Sequence, residues 1–482
     1  MNYRMIFKVM GFILLIIAAG MILPLLIALF TGEHDSIAFA VSLVLTAGVG
    51  YSLTKIPITH PTIKTKEGLA IVTFSWIFAS VFGALPFVLS GSIPSFIDAF
   101  FETVSGFTTT GATIINNIEV LPKGILFWRS FTHWIGGMGI LVVAVAILPM
   151  MGASGFHIFK AESPGPIADK IVPRIRDTAK ILYSSYILVS LIEFVLLMLG
   201  GMSVYESAIH TFGTLGTGGF STMNGSVGAF NNSYIFIVIS IFMIMSGANF
   251  SLYYDLYKGK WRDVIKNSEL RLYLGIIAIS VIALTINNSF HVYSSWFESF
   301  THSLFQTSSI ITTTGYTTAD YEQWSTFSQG ILFLLMFVGG SAGSTGGSIK
   351  VIRILVLLKI IKREFIKILH PRAVVPVKLS GQPVSEDTLL NISGFFMLYM
   401  VIFIIGSLLI SLEGNGITFI GATSAVAATL GNIGPGFGFV GPTHTYAAFS
   451  NASKLLLSFF MLLGRLELFT VVALLSPRFW RS

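Results

Sequence analysis

Phe101-Glu-Thr-Val-Ser-Gly-Phe-Thr-Thr-Thr-Gly111 recurs as Phe305-Gln-Thr-Ser-Ser-Ile-Ile-Thr-Thr-Thr-Gly315, with Phe, Thr, Ser and the closing Thr-Thr-Thr-Gly in register and no gap. Between the copies lies a looser version, Gly216-Thr-Gly-Gly-Phe-Ser-Thr222, and after them a fourth glycine-rich turn, Gly431-Asn-Ile-Gly-Pro-Gly-Phe-Gly438. Each turn sits in the same setting: a long apolar helix, a shorter and less apolar helical stretch, the turn, a polar loop, and another long helix. The interval of roughly a hundred residues is too long for a solenoid repeat. The stretches before the turns, such as 95–107, 203–214 and 294–310, are too short and polar to cross a bilayer. They read as half-membrane helices that stop at depth, where irregular backbone is tolerated only if protein buries it or it lines a watery cavity. Four such units around one axis make that cavity.

The rest of the chain sets this reading in a membrane. Hydrophobic residues make up 54% and charged residues 11%, against roughly 25% charged in soluble domains. Apolar runs of near-spanning length recur at 10–30, 37–53, 69–89, 125–149, 181–199, 235–253, 272–286, 331–338 with 349–361, 389–412 and 455–475, about ten in all. The first is too long for a signal-peptide core and is kept as a span. With no cysteine, neither a disulfide framework nor a thiolate metal site is available. The expectation is an all-α polytopic membrane protein: two N-terminal spans (1–66) and four helix–pore loop–helix repeats in pseudo-fourfold arrangement (67–150, 151–257, 258–365 and 366–482).

Charge placement orients it. If the N-terminus is cytoplasmic, the segments 55–67, 150–180, 258–271, 359–387 and 477–482 are too, and with adjoining helix ends they hold about 25 of the 29 basic residues. The opposite side keeps Lys123, Arg129 and Lys454 and is richer in acids, which concentrates cations at an entrance. The basic balance is thus a topology signal and gives no support to nucleic-acid binding. Basic tracts such as 359–367 suit the anionic lipid of a membrane edge.

A dehydrated monovalent cation needs several oxygen ligands without full charge, which rings of backbone carbonyls supply. Glycine permits the backbone angles that turn successive carbonyls inward, and threonine adds a hydroxyl oxygen. No carboxylate occurs in the four turns. The competing explanation, that Thr and Gly only allow close helix packing, does not account for two matched eleven-residue copies in equivalent settings.

At this point the chain resembles the TrkH/TrkG family, the membrane subunits of bacterial potassium uptake systems, in the superfamily that also holds KtrB and plant HKT transporters. The resemblance spans essentially the whole chain and includes the phrase at 101–113, the Gly-Pro-Gly turn and Gly464-Arg-Leu-Glu-Leu468. It implies a bacterial inner-membrane protein that carries K⁺ as its transported ion, without catalytic chemistry or a tightly bound cofactor. It implies a homodimer with one pore per protomer, regulated by a cytosolic TrkA-type (RCK/KTN) nucleotide-binding subunit. The family's filter glycine carries onto Gly111, Gly218, Gly315 and Gly434, with carbonyl positions at Thr110, Thr217, Thr314 and Ile433.

Two further features bear on gating. Between apolar runs, residues 339–348 contain Gly339, Gly340, Gly343, Gly346 and Gly347; inside a helix each would cost about 1 kcal/mol relative to alanine. A surface loop or kink is the plain reading. The resemblance implies an intramembrane loop that obstructs the cavity below the filter, with Lys350 just beyond it. Arg465 stands alone in the run 455–475 and must face protein or water. Glu467, two residues on, is a poor helical partner for it. The family has a pore-constricting arginine here; a structural arginine bonding loop carbonyls is the alternative.

Weaker matches fall away. Gly434-Pro-Gly-Phe-Gly-Phe-Val-Gly441 lacks the βαβ setting of a dinucleotide loop, and Gly152-Ala-Ser-Gly155 with His157 has no placed base or oxyanion donor. The nine histidines lack ligand spacing. An enzyme is therefore not expected. The leading expectation is a channel-like potassium translocator; the alternative is a K⁺/H⁺ or K⁺/Na⁺ symporter with alternating access, for which Glu193 inside a span is the thin relay candidate.

Overall fold

Apolar runs in lipid must close their backbone hydrogen bonds internally, and almost every run named above is helical in the computed structural model, which describes residues 1–58, 64–137, 139, 175–414 and 416–480. The end of the 125–149 run, most of 150–180 and the serine motif with His157 lie outside these residues. Six described helices are long and apolar enough to span a membrane, and a bent pair makes a seventh. Tyr3–Thr31 and Asp35–Thr54 form the N-terminal pair. Glycines let them approach closely: a Cβ on Gly11 would lie 2.7 Å from the Gly50 carbonyl oxygen.

Four short helices follow at the expected places: Phe96–Phe107, Val204–Leu215, Trp296–Ile311 and Phe419–Leu430. Serine or threonine caps begin three of them, with Ser95, Ser203 and Thr418 accepting the amide three residues on. Each is preceded by a spanning helix: Thr65–Leu89, Lys180–Leu199, Ser268–His291 and Glu386–Glu413. Each is followed by a second helix, beginning with Lys123–Gly137, Ser233–Ser246, Thr326–Leu335 and Asn451–Arg465. The first, second and fourth of these second helices pack on the short helix of their own repeat and on that of the next, the fourth returning to the first. The repeats are therefore arranged in a closed circle.

Two expected spans are not continuous. The run 235–253 bends by 98° between Ser233–Ser246 and Ser251–Tyr257. The run 455–475 breaks between Asn451–Arg465 and Leu468–Leu475, with Glu467 at φ 66°. Tertiary bonds are the cause. The carbonyls freed at Ser246 and Gly247 accept from the amides of Thr345 and Ser341 at 3.3 and 2.8 Å, and Glu467 turns aside to pair with Arg353 at 2.6 Å. With the third repeat's break, three second helices are interrupted where they pass beneath the turns.

Candidate functional site: a four-walled ring of carbonyls

The ends of the four short helices are locally identical. The amides of Thr110, Gly218, Thr314 and Ile433 each donate five residues back, to Ser105, Gly213, Ser309 and Ala428, all at 2.8 Å. The residue before each has a left-handed backbone: Thr109, Thr217, Thr313 and Asn432, with φ between 54° and 59°. The residue after each is a left-handed glycine: Gly111, Gly219, Gly315 and Gly434. Alternating the two conformations along the chain turns successive carbonyls to one side, at a steric cost of about 1–2 kcal/mol for each non-glycine residue.

The four walls meet. A Cβ on Gly111 would lie 2.1 Å from the Gly218 carbonyl oxygen, and one on Gly219 2.1 Å from that of Thr314. On Gly315 it would lie 2.0 Å from that of Ile433, and on Gly434 2.7 Å from that of Thr110. Each glycine thus touches the next wall's carbonyl, and the circle closes through Thr110, Gly218, Thr314 and Ile433. All eight residues of the ring are buried or half-buried. The short helices point their C-termini at it, which adds partial negative charge favouring a cation.

The second wall's register differs by one from the sequence alignment. Gly219, not Gly218, occupies the left-handed glycine position, and Gly218 rather than Thr217 stands level with Thr110 and Thr314. The reason lies in another repeat. A Cβ on Gly218 would fall 2.2 Å from the ring of His133, so the histidine fills the space that a threonine side chain takes in walls one and three. His133 Nδ1 lies 2.8 Å from the Gly106 carbonyl, and its ring packs on Phe220. Wall four is tied in differently: the Asn432 amide donates to the Thr110 hydroxyl at 3.0 Å and to the Met461 carbonyl at 2.9 Å. The sequence did not single out Gly219 or His133.

On one side of the ring lies a cavity of about 140 Å³ lined by residues of all four loops, among them Thr113, Ser221, Thr317 and Thr443. On the other side, a pocket of about 30 Å³ between the third and fourth repeats, room for one or two waters, is lined by Gly346, Gly347, Lys350, Arg353, Tyr399 and Arg465. The segment 339–348 forms one of its walls and packs against the turns. Gly347 donates to the Thr313 hydroxyl at 2.7 Å, and a Cβ there would meet the Gly431 carbonyl oxygen at 2.4 Å. Gly346 lies against the Thr312 carbonyl, Gly343 accepts from the Phe250 amide, and Gly339 and Gly340 bond Ile349 and Val351. Arg465 donates to the Thr345 carbonyl of this segment at 2.6 Å and to the Gly136 carbonyl of the first repeat at 2.7 Å. The Lys350 ammonium, buried, donates to the Gly346 carbonyl. The segment is thus clamped directly under the ring by two cationic side chains.

The same fold exists elsewhere. The family profile of TrkH, described as a cation transport protein, matches residues 35–482. The Trk system potassium uptake protein TrkH of Salmonella typhimurium is 39% identical, with 100% of each chain covered. The TrkG protein of Escherichia coli is 36% identical over 100% of this chain and 99% of its own, and TrkI of Halomonas elongata 33% over 99% and 97%. Among solved structures, the potassium transporter TrkH from Vibrio parahaemolyticus superposes with a TM-score of 0.89 at 36% identity, covering 100% of both chains. A multi-pass membrane protein with this match along its length is a transporter rather than an enzyme, and the chain belongs to the TrkH family of cation transport proteins.

Proposed function

We propose that this chain takes up K⁺ through a channel-like path whose selectivity filter is the ring of Thr110, Gly218, Thr314 and Ile433 carbonyls. The observation that carries the reading is the closed circle in which each left-handed glycine abuts the next wall's carbonyl oxygen. Such a ring replaces a monovalent ion's hydration shell without a formal charge, and a carboxylate-free turn disfavours divalent ions. The relatives named as potassium uptake proteins support K⁺ as the ion. The segment 339–348 is the gate: its contacts under the ring close the path, and Arg465 and Lys350 hold it there by charge-assisted hydrogen bonds. Removing them frees the segment and raises flux.

The wider setting follows the family. The protein sits in the bacterial inner membrane with its N-terminus cytoplasmic, as a homodimer whose cytoplasmic face docks a TrkA-type nucleotide-binding ring. The four pore units follow the repeat boundaries given by the sequence. A coupled symporter is the second reading. Glu193 favours it: the carboxyl is fully buried in the span Lys180–Leu199 and has no ion-pair partner among the described residues.

The test is ⁸⁶Rb⁺ uptake into proteoliposomes with competing K⁺, Na⁺ and Li⁺. Gly111→Ser, Gly219→Ser, Gly315→Ser and Gly434→Ser each lower Rb⁺-over-Na⁺ discrimination in folded protein, and Arg465→Ala raises uptake. Selectivity that survives all four glycine changes would remove the filter from this ring. Internal acidification that tracks Rb⁺ entry and vanishes in Glu193→Gln would decide for symport.

A further inference from the structure

Directly behind the first wall lies a buried ion pair that the ring does not use. Arg129 of Lys123–Gly137 and Glu102 of Phe96–Phe107 meet at 2.6 Å, with side chains 2% and 0% exposed. Each end is fully engaged. The Glu102 carboxylate also accepts from the Thr113 hydroxyl at 2.9 Å and from the Ile114 amide at 2.9 Å, so it holds the chain just after Gly111. The Arg129 guanidinium donates to the Ser221 carbonyl at 3.2 Å and lies 3.6 Å above the Phe220 ring, so it holds the chain just after Gly219. One salt bridge therefore fixes the outgoing strands of two adjacent walls, each two or three residues beyond the filter glycine.

The other walls are supported differently, wall four's loop by the Glu322 carboxylate, which accepts from the Gly438 amide. At the position of Glu102, wall two has His210, whose Nε2 accepts from the Ser221 hydroxyl at 2.9 Å, while Nδ1 donates to the Glu206 carbonyl. Wall three has Gln306 and wall four Ala425. A second pair, Lys454 of Asn451–Arg465 with Asp98 of Phe96–Phe107 at 2.6 Å, joins walls four and one farther from the turns. Arg129 and Glu102 are the opposed pair whose groups also bond the chain just beyond the filter glycines. Taking either charge away leaves the other buried and uncompensated, which strongly destabilises the folded protein.

Resting on the filter reading above, we infer that Glu102 and Arg129 are positioning residues for ion discrimination: the pair sets the spacing between the Thr110 and Gly218 carbonyls and cancels the carboxylate's charge at the ring's wide side. Neither residue touches the ion. If the pair only stabilised the fold, its loss would lower the melting temperature and leave the ratio of ions untouched.

The full-length protein in proteoliposomes separates these cases. The variants are Glu102→Gln, Arg129→Gln, the double variant Glu102→Gln with Arg129→Gln, and Arg129→Lys, each read by ⁸⁶Rb⁺ uptake with Na⁺ competition, Ba²⁺ block and thermal melting. Each single glutamine variant that folds loses roughly tenfold in Rb⁺-over-Na⁺ discrimination, the scale of one charge-assisted hydrogen bond. Arg129→Gln alone sharpens Ba²⁺ block, because it leaves the carboxylate unneutralised. The double variant loses less than the sum of the singles. Arg129→Lys keeps the charge but not the fork, so it folds and still loses discrimination, because one ammonium nitrogen cannot stand at both the Nε position facing Glu102 and the Nη1 position facing Ser221. It decides the matter should the glutamine variants not fold. Wild-type discrimination in Arg129→Lys, or in either folded single glutamine variant, overturns the inference. Gly111→Ser run alongside tells the two failures apart: if it too leaves discrimination intact, the filter reading itself has failed.

Discussion

Walls one and three show the ring almost the same face. Thr109 and Thr313 have φ of 55° and 59°, and Gly111 and Gly315 78° and 83°. In both, the first and third threonine hydroxyls lie 2.8 Å apart. Behind that face they differ. Glu102 in wall one holds two loop groups and a guanidinium, whereas neither amide atom of Gln306 in wall three has a hydrogen-bond partner among the described residues. Aligning Gly136-Gly137 with Gly339-Gly340 puts Leu332 where Arg129 stands. Wall three instead leans on what lies across and below: Tyr316 donates to the His210 and Phe220 carbonyls at 3.2 Å, and Gly347 to the Thr313 hydroxyl. The difference teaches that a short local phrase fixes the conformation facing the ring, while stiffness is assigned wall by wall from distant residues. Wall one is braced by charge; wall three is joined to the segment 339–348.

The shared face gives the largest effect. Gly111→Ala and Gly315→Ala each place a Cβ about 2 Å from a neighbouring carbonyl oxygen. Left-handed strain and overpacking together reach up to about 5 kcal/mol. Both variants are expected to lose selective Rb⁺ uptake to the same degree. A variant that kept it in one wall only would show that the two faces are not equivalent, whatever their backbone angles.

The backs should break the symmetry. Gln306→Glu rebuilds wall one's phrase in wall three, but without an arginine opposite. A buried carboxyl left alone costs about 3 kcal/mol, so the variant should melt well below the parent protein, as a detergent melting curve would read. Equal melting would mean that wall three already offers a donor to that position, and the contrast with Glu102 would lose its basis.

How much of this could be read from the chain depends on where each cause sits. The left-handed glycines at Gly111 and Gly315 are legible because their causes lie within the phrase, and the four short helices because their caps and lengths are local. Wall two aligns one residue off because Gly218-Gly219 offers two glycines, and what selects between them is His133, far away in sequence. The break at Gly247 interrupts a run apolar enough to span, and the break at Leu466-Glu467 an apolar run of spanning length. Only their partners, Ser341 and Arg353, pull them open. Arg129 reads in sequence as one of three basic residues on the outer side, and Glu102 as one letter of a phrase. Arg465 stands out because a lone cation in an apolar run demands a partner, and the loop carbonyl it meets belongs to the glycine-rich segment 339–348.

The smallest effect tests whether wall three's back is idle. An unpaired buried amide forfeits the hydration it had when unfolded, so replacing it with an apolar side chain of similar volume gains about 1 kcal/mol. Gln306→Met is therefore expected to raise the melting temperature slightly and to leave Rb⁺-over-Na⁺ discrimination unchanged. The same change cannot be neutral in wall one, where Glu102 answers a buried guanidinium. If Gln306→Met instead melts lower or discriminates less, the amide is holding something that wall three needs. The two walls would then be braced alike, one by charge and one by a neutral hydrogen bond, and the stiffness of the ring would be shared around it instead of concentrated at the Glu102–Arg129 side.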